Sequence, residues 1–304
     1  MWVNRLVGLA LCLGTSLAGA GAGGDPAIAA LDDKLVKDPE RVDWLVERAA
    51  LQRLRGDYGA ALADLNEAYD LDPELPEVCL QRGQVLAALG YPLAAQSDLG
   101  LFLAYRPHNV RALAVRGRLL ALMGRPSEAR ADYEAALALA PTAELYLDLC
   151  RLDEAAGNLN GAASCYTRGL GELHEALVLR QALARIETDR RNYDRAIDLL
   201  DTLIDHPALR AGALLDRADA YDKAGKESKA LRDRQRALQE IDRALGEGPS
   251  DRFWQLRSRV LWALDQEDAD EDDDEDDDDD DGEDDRPPRL DEAREALRQS
   301  RGPY

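Results

Sequence analysis

The stretch PHNVRALAVRGRLLALMGRPSEARADYEAALALAP, residues 107–141, sets the pattern of the chain. It contains the small residue Gly117 and, seven residues later, Gly124. Ala129 and Pro141 follow, twelve and twenty-four residues after Gly117. Apolar residues recur at helical spacing on both sides of Gly124. Because glycine ends a helix and proline cannot continue one, the stretch predicts a hairpin of two helices.

The same spacing occurs six times along the chain. We call the residue equivalent to Gly117 the small position and the residue equivalent to Ala129 the paired alanine. The small positions are Ala49, Gly83, Gly117, Cys150, Ala184 and Ala218. The paired alanines are Ala61, Ala95, Ala129, Ala162, Ala196 and Ala230. Prolines recur every 34 residues at Pro39, Pro73, Pro107 and Pro141. The turn glycine is kept in every copy except the fifth, where Arg191 replaces it.

These positions resemble the tetratricopeptide repeat (TPR) family, whose helical hairpins recur with this period. The resemblance covers residues 41–246 as six repeats and residues 25–40 as an N-terminal half repeat. It departs from the family pattern at Phe102, where an alanine is expected, and at Arg191. The resemblance implies an all-α fold, a right-handed superhelix (α-solenoid) of about six repeats whose concave groove binds peptides or protein segments.

An arginine stands directly before four of the small positions, and an aspartate follows each arginine by sixteen residues. The pairs are Arg48–Asp64, Arg82–Asp98, Arg116–Asp132 and Arg217–Asp233. In the other two repeats both members are replaced together, by Leu149 with Cys165 and by Leu183 with Leu199. Because losing one member alone would leave a charge unpaired between two helices, the pattern predicts structural ion pairs inside these hairpins.

Three cysteines, Cys79, Cys150 and Cys165, follow the N-terminal segment. Cys150 and Cys165 belong to the fourth hairpin, which lacks the ion pair. Two interpretations are open: a disulfide that closes the hairpin in an oxidising compartment, or two buried small apolar residues. A disulfide needs Cα atoms within about 7 Å, which the spacing alone does not guarantee.

The resemblance places the residue after each small position on the concave face. These residues are Ala50, Gln84, Arg118, Arg151, Arg185 and Asp219. We call Arg118, Arg151 and Arg185 the arginine ladder. We predict that the ladder, together with Gln84, binds an acidic peptide segment or a C-terminal carboxylate, because guanidinium groups pair bidentately with carboxylates. The alternative is a solvated arginine face neutralised by its neighbours. Those neighbours are Glu144, Asp148, Glu154 and Asp189.

The N-terminus has the pattern of an export signal. An apolar run follows Arg5, and small residues of the A-x-A type continue to Ala22. We expect a signal peptide at residues 1–20, cleaved near residues 20–22, which predicts a periplasmic or secreted protein. The alternative is an uncleaved anchor. No other segment is apolar enough for a bilayer, so no membrane span is expected after cleavage.

The net charge of −22 comes mainly from one tract. Residues 267–285 hold 17 acidic side chains in 19 positions, which leaves 43 acidic and 38 basic residues elsewhere. Without a clustered basic face, nucleic acid is not an expected partner. No catalytic motif occurs, and His108, His174 and His206 lie at or near predicted loops. We therefore predict that the chain is not an enzyme.

The acidic tract interrupts a predicted seventh repeat. The predicted segments are a first helix at residues 251–264, a disordered acidic loop at 265–288 and a C-terminal helix at 289–304. We expect residues 289–301 to fold back on the first helix as its missing second helix, because Leu290, Ala293 and Leu297 share one helical face. This capping hairpin is predicted to shield Trp254 and Trp262.

The sequence favours an exported scaffold that binds a protein or an acidic peptide segment through its concave groove, without catalysis. The alternative is an acidic protein that binds divalent cations or supplies surface charge, with the repeats presenting the tract. No cofactor is expected beyond weak, non-specific Ca²⁺ binding, because the nearest EF-hand match has Pro288 where the closing glutamate should stand. The sequence predicts no particular oligomeric state.

Overall fold

The computed structural model describes residues 25–248 and 250–272. The predicted signal peptide at 1–20, the acidic tract beyond residue 272 and the predicted helix at 289–304 lie outside the described residues. The all-α prediction is confirmed, because all regular structure in the described residues is α-helical. The helices are α1 (Pro26–Lys37), α2 (Val42–Leu54), α3 (Tyr58–Leu71), α4 (Pro76–Ala88), α5 (Pro92–Tyr105), α6 (Val110–Leu122), α7 (Pro126–Leu139), α8 (Ala143–Ala155), α9 (Leu159–Glu172), α10 (Leu177–Asp189), α11 (Tyr193–Ile204), α12 (Pro207–Lys223), α13 (Glu227–Glu247) and α14 (Asp251–Asp272).

The helices alternate between two roles. The even-numbered helices from α2 to α14 are the first helices of successive hairpins. The odd-numbered helices from α3 to α13 are the second helices, and α1 is the single second helix of the half repeat. The chain divides into two compact units, one ending at Tyr105 and one beginning at Arg106. The first unit contains α1–α5 and the second contains α6–α14.

First helices form the inner layer of the second unit. Each of α6, α8, α10 and α12 contacts the first helix of the next repeat as well as its own second helix. Among the described residues of this unit, the second helices of neighbouring repeats do not approach one another in this way, although Arg195 of α11 donates a hydrogen bond to Thr167 of α9 at 3.3 Å. The repeats therefore lie closer together on the side of the first helices, which makes that side concave.

The hairpins keep one register. Each first helix from α2 to α12 ends five residues after its small position, and each second helix begins nine residues after it. Five turn glycines have φ between 69° and 83°, a left-handed conformation that glycine adopts without steric cost. These glycines are Gly56, Gly90, Gly124, Gly157 and Gly225.

Arg191 occupies the turn-glycine position of the fifth repeat with the same backbone. Its φ is 61°, and it is the one described residue other than glycine with a positive φ. The buried carboxylate of Glu187 stabilises this turn by accepting hydrogen bonds from Arg190 at 2.7 Å and Asn192 at 3.2 Å. The departure noted in the sequence therefore changes the residue type and leaves the hairpin geometry intact.

Close helix packing explains the small positions. A Cβ atom added to Gly83 would lie 2.9 Å from Leu99 Cγ, and one added to Gly117 would lie 2.8 Å from Tyr133 Cε1. Both distances are shorter than ordinary van der Waals contact. Phe102, the other departure from the family pattern, is buried in the core.

The four Arg–Asp pairs join the first and second helices of their hairpins. Each arginine donates from Nε and Nη2 to the two carboxylate oxygens of its aspartate, at 2.6–2.9 Å. All four aspartates are buried. Two of the arginines also contact a second carboxylate sixteen residues earlier: Arg48 with Asp32 at 2.7 Å, and Arg217 with Asp201 at 2.5 Å. An aspartate sixteen residues before each of these two arginines is visible in the sequence, but these additional ion pairs were not predicted.

Cys150 and Cys165 form a disulfide between α8 and α9, with Cα atoms 5.5 Å apart. The sequence left open whether these cysteines form a disulfide or are two buried apolar residues, and the structure contains the disulfide. The bond connects the two helices of a hairpin that lacks the ion pair. Cys79 is a free, buried cysteine, and burial raises the pKa of its thiol.

The seventh repeat differs from its prediction in two ways. Its first helix does not end at residue 264 but runs to Asp272, through the first eight residues of the predicted loop. The helix continues because no glycine or proline occurs between the small position Ser258 and Gly282. Trp262, which was predicted to be shielded, is 59% exposed because it lies one turn after Arg259, on the concave register of α14.

Removing one member of a structural ion pair should lower the free energy of unfolding more than removing both members does. Asp132→Leu leaves the half-buried Arg116 without its partner, so we expect the free energy of unfolding to fall by about 3 kcal/mol. Arg116→Leu combined with Asp132→Leu reproduces the residues of the fifth repeat, Leu183 and Leu199, and should cost less. Chemical denaturation measures both values. A double variant less stable than the single variant would contradict this role.

Glycine at the fifth turn should stabilise the protein. Arg191→Gly removes the steric cost of a side chain in the left-handed region, so we expect the free energy of unfolding to rise by about 1 kcal/mol. The matched control is Gly157→Arg in the neighbouring repeat, which should be destabilising. Equal stability of Arg191→Gly and the parent in urea denaturation would show that this turn carries no strain.

Candidate functional site

The arginine ladder lies on the inner layer of the second unit. Arg118, Arg151 and Arg185 each follow a small position, on α6, α8 and α10. Successive helices of this set are in contact with one another. The three side chains are 53%, 62% and 58% exposed. The register predicted from the sequence therefore presents three accessible guanidinium groups on neighbouring helices.

Two carboxylates partly neutralise the ladder. Arg118 Nε donates to Asp148 Oδ2 at 2.5 Å, and Arg151 Nη1 lies 3.8 Å from Asp148 Oδ1. Arg185 Nη2 donates to Glu154 Oε2 at 2.7 Å. Three guanidinium groups thus share two carboxylates, so this group carries a net charge of +1. The sequence had named both acidic residues as neutralising neighbours, and the structure shows that the neutralisation is incomplete within this group.

Two buried tyrosines lie next to these carboxylates. The hydroxyl of Tyr166 donates to Glu154, whose other oxygen accepts from Arg185. Burial raises the pKa of Tyr166, and the hydrogen bond to Glu154 raises it further. Burial also raises the pKa of Tyr133, with a smaller contribution from Asp148. Both phenols therefore stay protonated near neutral pH, and Tyr166 holds the Glu154 carboxylate in place.

The ladder arginines differ from the arginines of the structural pairs. Each structural arginine gives two hydrogen bonds to one buried aspartate and is only 15–27% exposed. Among the described residues, Arg118 and Arg185 each donate one hydrogen bond, and Arg151 donates none. A guanidinium carries five N–H donors, so most donors of the ladder remain available to a ligand.

The ladder is limited to α6, α8 and α10. On α12 the equivalent residue is Asp219, which hydrogen-bonds Arg259 of α14. Arg259 also lies 3.2 Å from Asp216. Arg259 directly follows the small position Ser258, so the spacing of the repeats places it on the concave face, but it was not among the predicted site residues. At α12 and α14, two carboxylates therefore surround one guanidinium group, the reverse of the ladder, where three guanidinium groups share two carboxylates.

Comparison with known families agrees with this architecture. Two family models described as tetratricopeptide repeat match residues 110–143 and 19–76. These matches and the repeated helical hairpins support a tetratricopeptide repeat protein. The first match contains Arg118, the first arginine of the ladder. A comparison with curated proteins gives no match.

Solved TPR structures have the same fold. A TPR protein from Parabacteroides merdae matches with a TM-score of 0.55 and 20% identity, over 86% of this chain and 99% of its own. PilF from Pseudomonas aeruginosa gives 0.53 at 17% identity, over 72% and 99%. PilW, a type IV pilus biogenesis factor, gives 0.54 at 19% identity, over 67% and 98%. At these identities the matches establish the fold alone.

Gln84 does not present a binding group in this structure, contrary to its prediction as a fourth partner-binding residue. Its side chain on α4 is 8% exposed. Neither its Oε1 nor its Nε2 has a hydrogen-bond partner. The register that exposes the ladder arginines in the second unit therefore buries Gln84 in the first unit. Side-chain length and charge explain the difference, since an arginine extends its charged end toward solvent while a glutamine does not.

The described residues contain neither a metal site nor a membrane-spanning helix. No group of histidine, cysteine, aspartate and glutamate side chains within 25–248 and 250–272 is placed to hold a metal ion. No helix in the same residues combines the length and the apolar character needed to cross a bilayer. Most of the acidic tract falls outside these ranges, so weak Ca²⁺ binding to it stays a prediction.

Replacing Gln84 by leucine should stabilise the protein. The change removes two buried polar atoms that lack partners, so we expect the free energy of unfolding to rise by about 1–2 kcal/mol. Gln255→Leu, on the exposed face of α14, is the matched control and should have little effect. Urea denaturation compares the two. A loss of stability in Gln84→Leu would mean that the amide is satisfied in solution.

Proposed function

We propose that the chain is an exported TPR scaffold that binds an acidic protein segment through the concave face of α6, α8 and α10, without catalysis. The observation that carries this proposal is the contrast between two sets of arginines. The structural arginines are mostly buried and each binds a buried aspartate through two hydrogen bonds, whereas the ladder arginines are more than half exposed and share two carboxylates.

An acidic segment is the ligand that fits this chemistry. Guanidinium groups bind carboxylates through parallel hydrogen bonds, and each hydrogen bond to a charged group contributes about 1.5–3 kcal/mol. Arg151 is the first contact expected for an incoming carboxylate, because its nearest carboxylate oxygen is 3.8 Å away. The hydrogen-bonded positions of Asp148 and Glu154 orient Arg118 and Arg185 before the ligand arrives, which reduces the entropy lost on binding.

Export is part of the proposal. The N-terminal pattern of an apolar run followed by small residues supports it. The disulfide between Cys150 and Cys165 is consistent with an oxidising compartment, where such bonds persist. The alternative function, cation binding by the acidic tract, concerns residues that lie mostly outside the described ranges and stays a prediction.

Neutralising the ladder should weaken binding of an acidic probe. We expect Arg118→Gln, Arg151→Gln and Arg185→Gln together to reduce affinity for a fluorescent poly-aspartate peptide at least about tenfold, since the loss of one charged hydrogen bond already amounts to that factor. Fluorescence anisotropy measures the affinity. In the parent, binding should weaken as salt rises toward 1 M, where the Debye length is about 3 Å.

The matched control changes the same charge on second helices. Arg168, Arg232 and Arg236 are exposed residues of α9 and α13, and their triple substitution by glutamine should leave peptide affinity nearly unchanged. Equal losses in the two triple variants would mean that only net charge matters. Unchanged affinity and salt dependence in the ladder variant would overturn the proposal.

A further inference from the structure

The inner layer of the second unit changes the sign of its charge along its length. Over α6, α8 and α10, the three guanidinium groups of the ladder share two carboxylates. On α12 and α14 the ratio is reversed, because Asp216 and Asp219 both contact the guanidinium group of Arg259. The last eight residues of α14, 265–272, add six acidic residues to this end. A purely acidic segment that continued past α10 would therefore meet like charge.

Asp219 has hydrogen-bonding capacity that its neighbours do not use. Its Oδ2 accepts a hydrogen bond from Arg259, whereas no group of the described residues donates to its Oδ1. The side chain is 46% exposed. Asp216 differs, because Gln181 of α10 donates to its Oδ2 at 2.7 Å and Arg259 lies 3.2 Å from its Oδ1. Asp219 is thus the carboxylate of this pair that can accept a further donor.

An exposed indole lies beside this pair of carboxylates. Trp262 follows Arg259 by three residues, so the two side chains are neighbours on the surface of α14. The indole is 59% exposed. Trp44 in the first unit has both Lys34 and Arg41 over its ring, whereas no cation of the described residues lies over Trp262. Because the two aspartates hold the guanidinium group of Arg259, the indole face stays open to another cation.

We propose that the concave face of the second unit binds a segment of mixed charge, which is acidic where it crosses the ladder and basic where it reaches Asp219 and Trp262. A guanidinium or ammonium group fits this second position, because the carboxylate accepts its hydrogen bond while the indole face attracts its charge. The inference rests on the function proposed above, since the ladder binds the acidic part of the segment. It adds the requirement for a basic residue at a set distance from the acidic residues.

The spacing of the first helices sets this distance. Arg151 on α8 and Asp219 on α12 both directly follow a small position, so they have the same register on their helices. α8 contacts α10, and α10 contacts α12. Packed helices have axes about 8–10 Å apart, so these two residues are separated by about 16–20 Å. An extended chain spans about 3.3 Å per residue, so the basic residue of the segment comes about six residues from the acidic residue at Arg151.

Short fluorescent peptides test this pattern of charge. The mixed probe has six aspartates followed by two arginines, and it is also made in the reverse order to cover both directions along the groove. The glutamine probe replaces the two arginines by glutamines. The scrambled probe has the composition of the mixed probe, with the arginines between two groups of three aspartates. In one of its two orders, the mixed probe should bind at least about threefold more tightly than the other two, a factor that one exposed ion pair or cation–π contact supplies. Fluorescence anisotropy measures the affinities.

Variants of the protein locate the basic end of the segment. Asp219→Asn combined with Trp262→Ala should remove the preference for the mixed probe and leave the glutamine probe bound. Trp262→Phe keeps an aromatic ring and should keep the preference. The matched control is Asp198→Asn, an exposed residue of α11 in the outer layer, which should also keep it. The acidic tract is present in every variant, so attraction of the arginines to the tract does not distinguish between them.

Tryptophan emission reports the contact with the indole. A cation placed against the exposed ring of Trp262 by the unlabelled mixed probe should change the emission of the protein. The glutamine probe should change it less, and neither probe should change it in Trp262→Phe. Emission that stays the same at a saturating concentration of the mixed probe would contradict the contact.

The outcomes separate this inference from the function on which it rests. If all probes bind the parent equally, or if the preference persists in the Asp219→Asn/Trp262→Ala variant, the inference is wrong while acidic binding by the ladder stands. If no probe binds, the proposed function fails as well. An equal gain in affinity from a peptide with two leucines in place of the arginines would also overturn the inference, because Trp262 would then bind an apolar group.

Discussion

Close contact between the two helices of each hairpin is the constraint on which the other features depend. At Gly83 and Gly117 there is no room for a Cβ atom, because Leu99 and Tyr133 fill the space against the backbone. Once the helices approach this closely, the residue before the small position is brought against the second helix, and the residue after it is turned toward the concave side. The first of these places is occupied by a structural arginine in four repeats, and the second by the ladder. Register, ion pairs and candidate site are therefore consequences of one packing distance.

Arg116 and Arg118 illustrate how strongly position decides the role of a side chain. They are two residues apart on α6, yet Arg116 gives two hydrogen bonds to a buried aspartate of its own hairpin, and Arg118 shares a carboxylate of the next repeat with another arginine. The first pairing is local and connects two helices whose contact is already fixed. The second connects neighbouring repeats on an exposed surface, where water competes for every donor.

Much of this arrangement could be predicted from the sequence, because the same spacing occurs in six copies. A position that is uncertain in one copy is identified by the equivalent positions of the other five. The hairpin register and its turns follow from the spacing of the small positions and glycines, and even Arg191 keeps the backbone of the residue that it replaces. Three features were not predicted. The disulfide depends on the distance between two helices, the burial of Gln84 depends on what packs around α4, and the length of α14 depends on how far a helix continues without a stop signal. The first two features are determined by the residues that lie nearby in space, and the third by the absence of a helix-stopping residue. A pattern of repeat spacings contains neither kind of information.

The separation of the outer helices in the second unit has a mechanical consequence. Its first helices pack closely across repeats, whereas the contact found between described second helices is one side-chain hydrogen bond, from Arg195 of α11 to Thr167 of α9. A change of curvature would therefore disturb fewer contacts on the outer side than on the inner side, with the contacts of the inner layer acting as hinges. The ion pairs between α6 and α8 and between α8 and α10 cross these hinges, and each joins a half-exposed arginine to a carboxylate that is 14% or 20% exposed. We therefore expect the concave side of this unit to change its width mainly through the inner layer, by small rotations between neighbouring first helices.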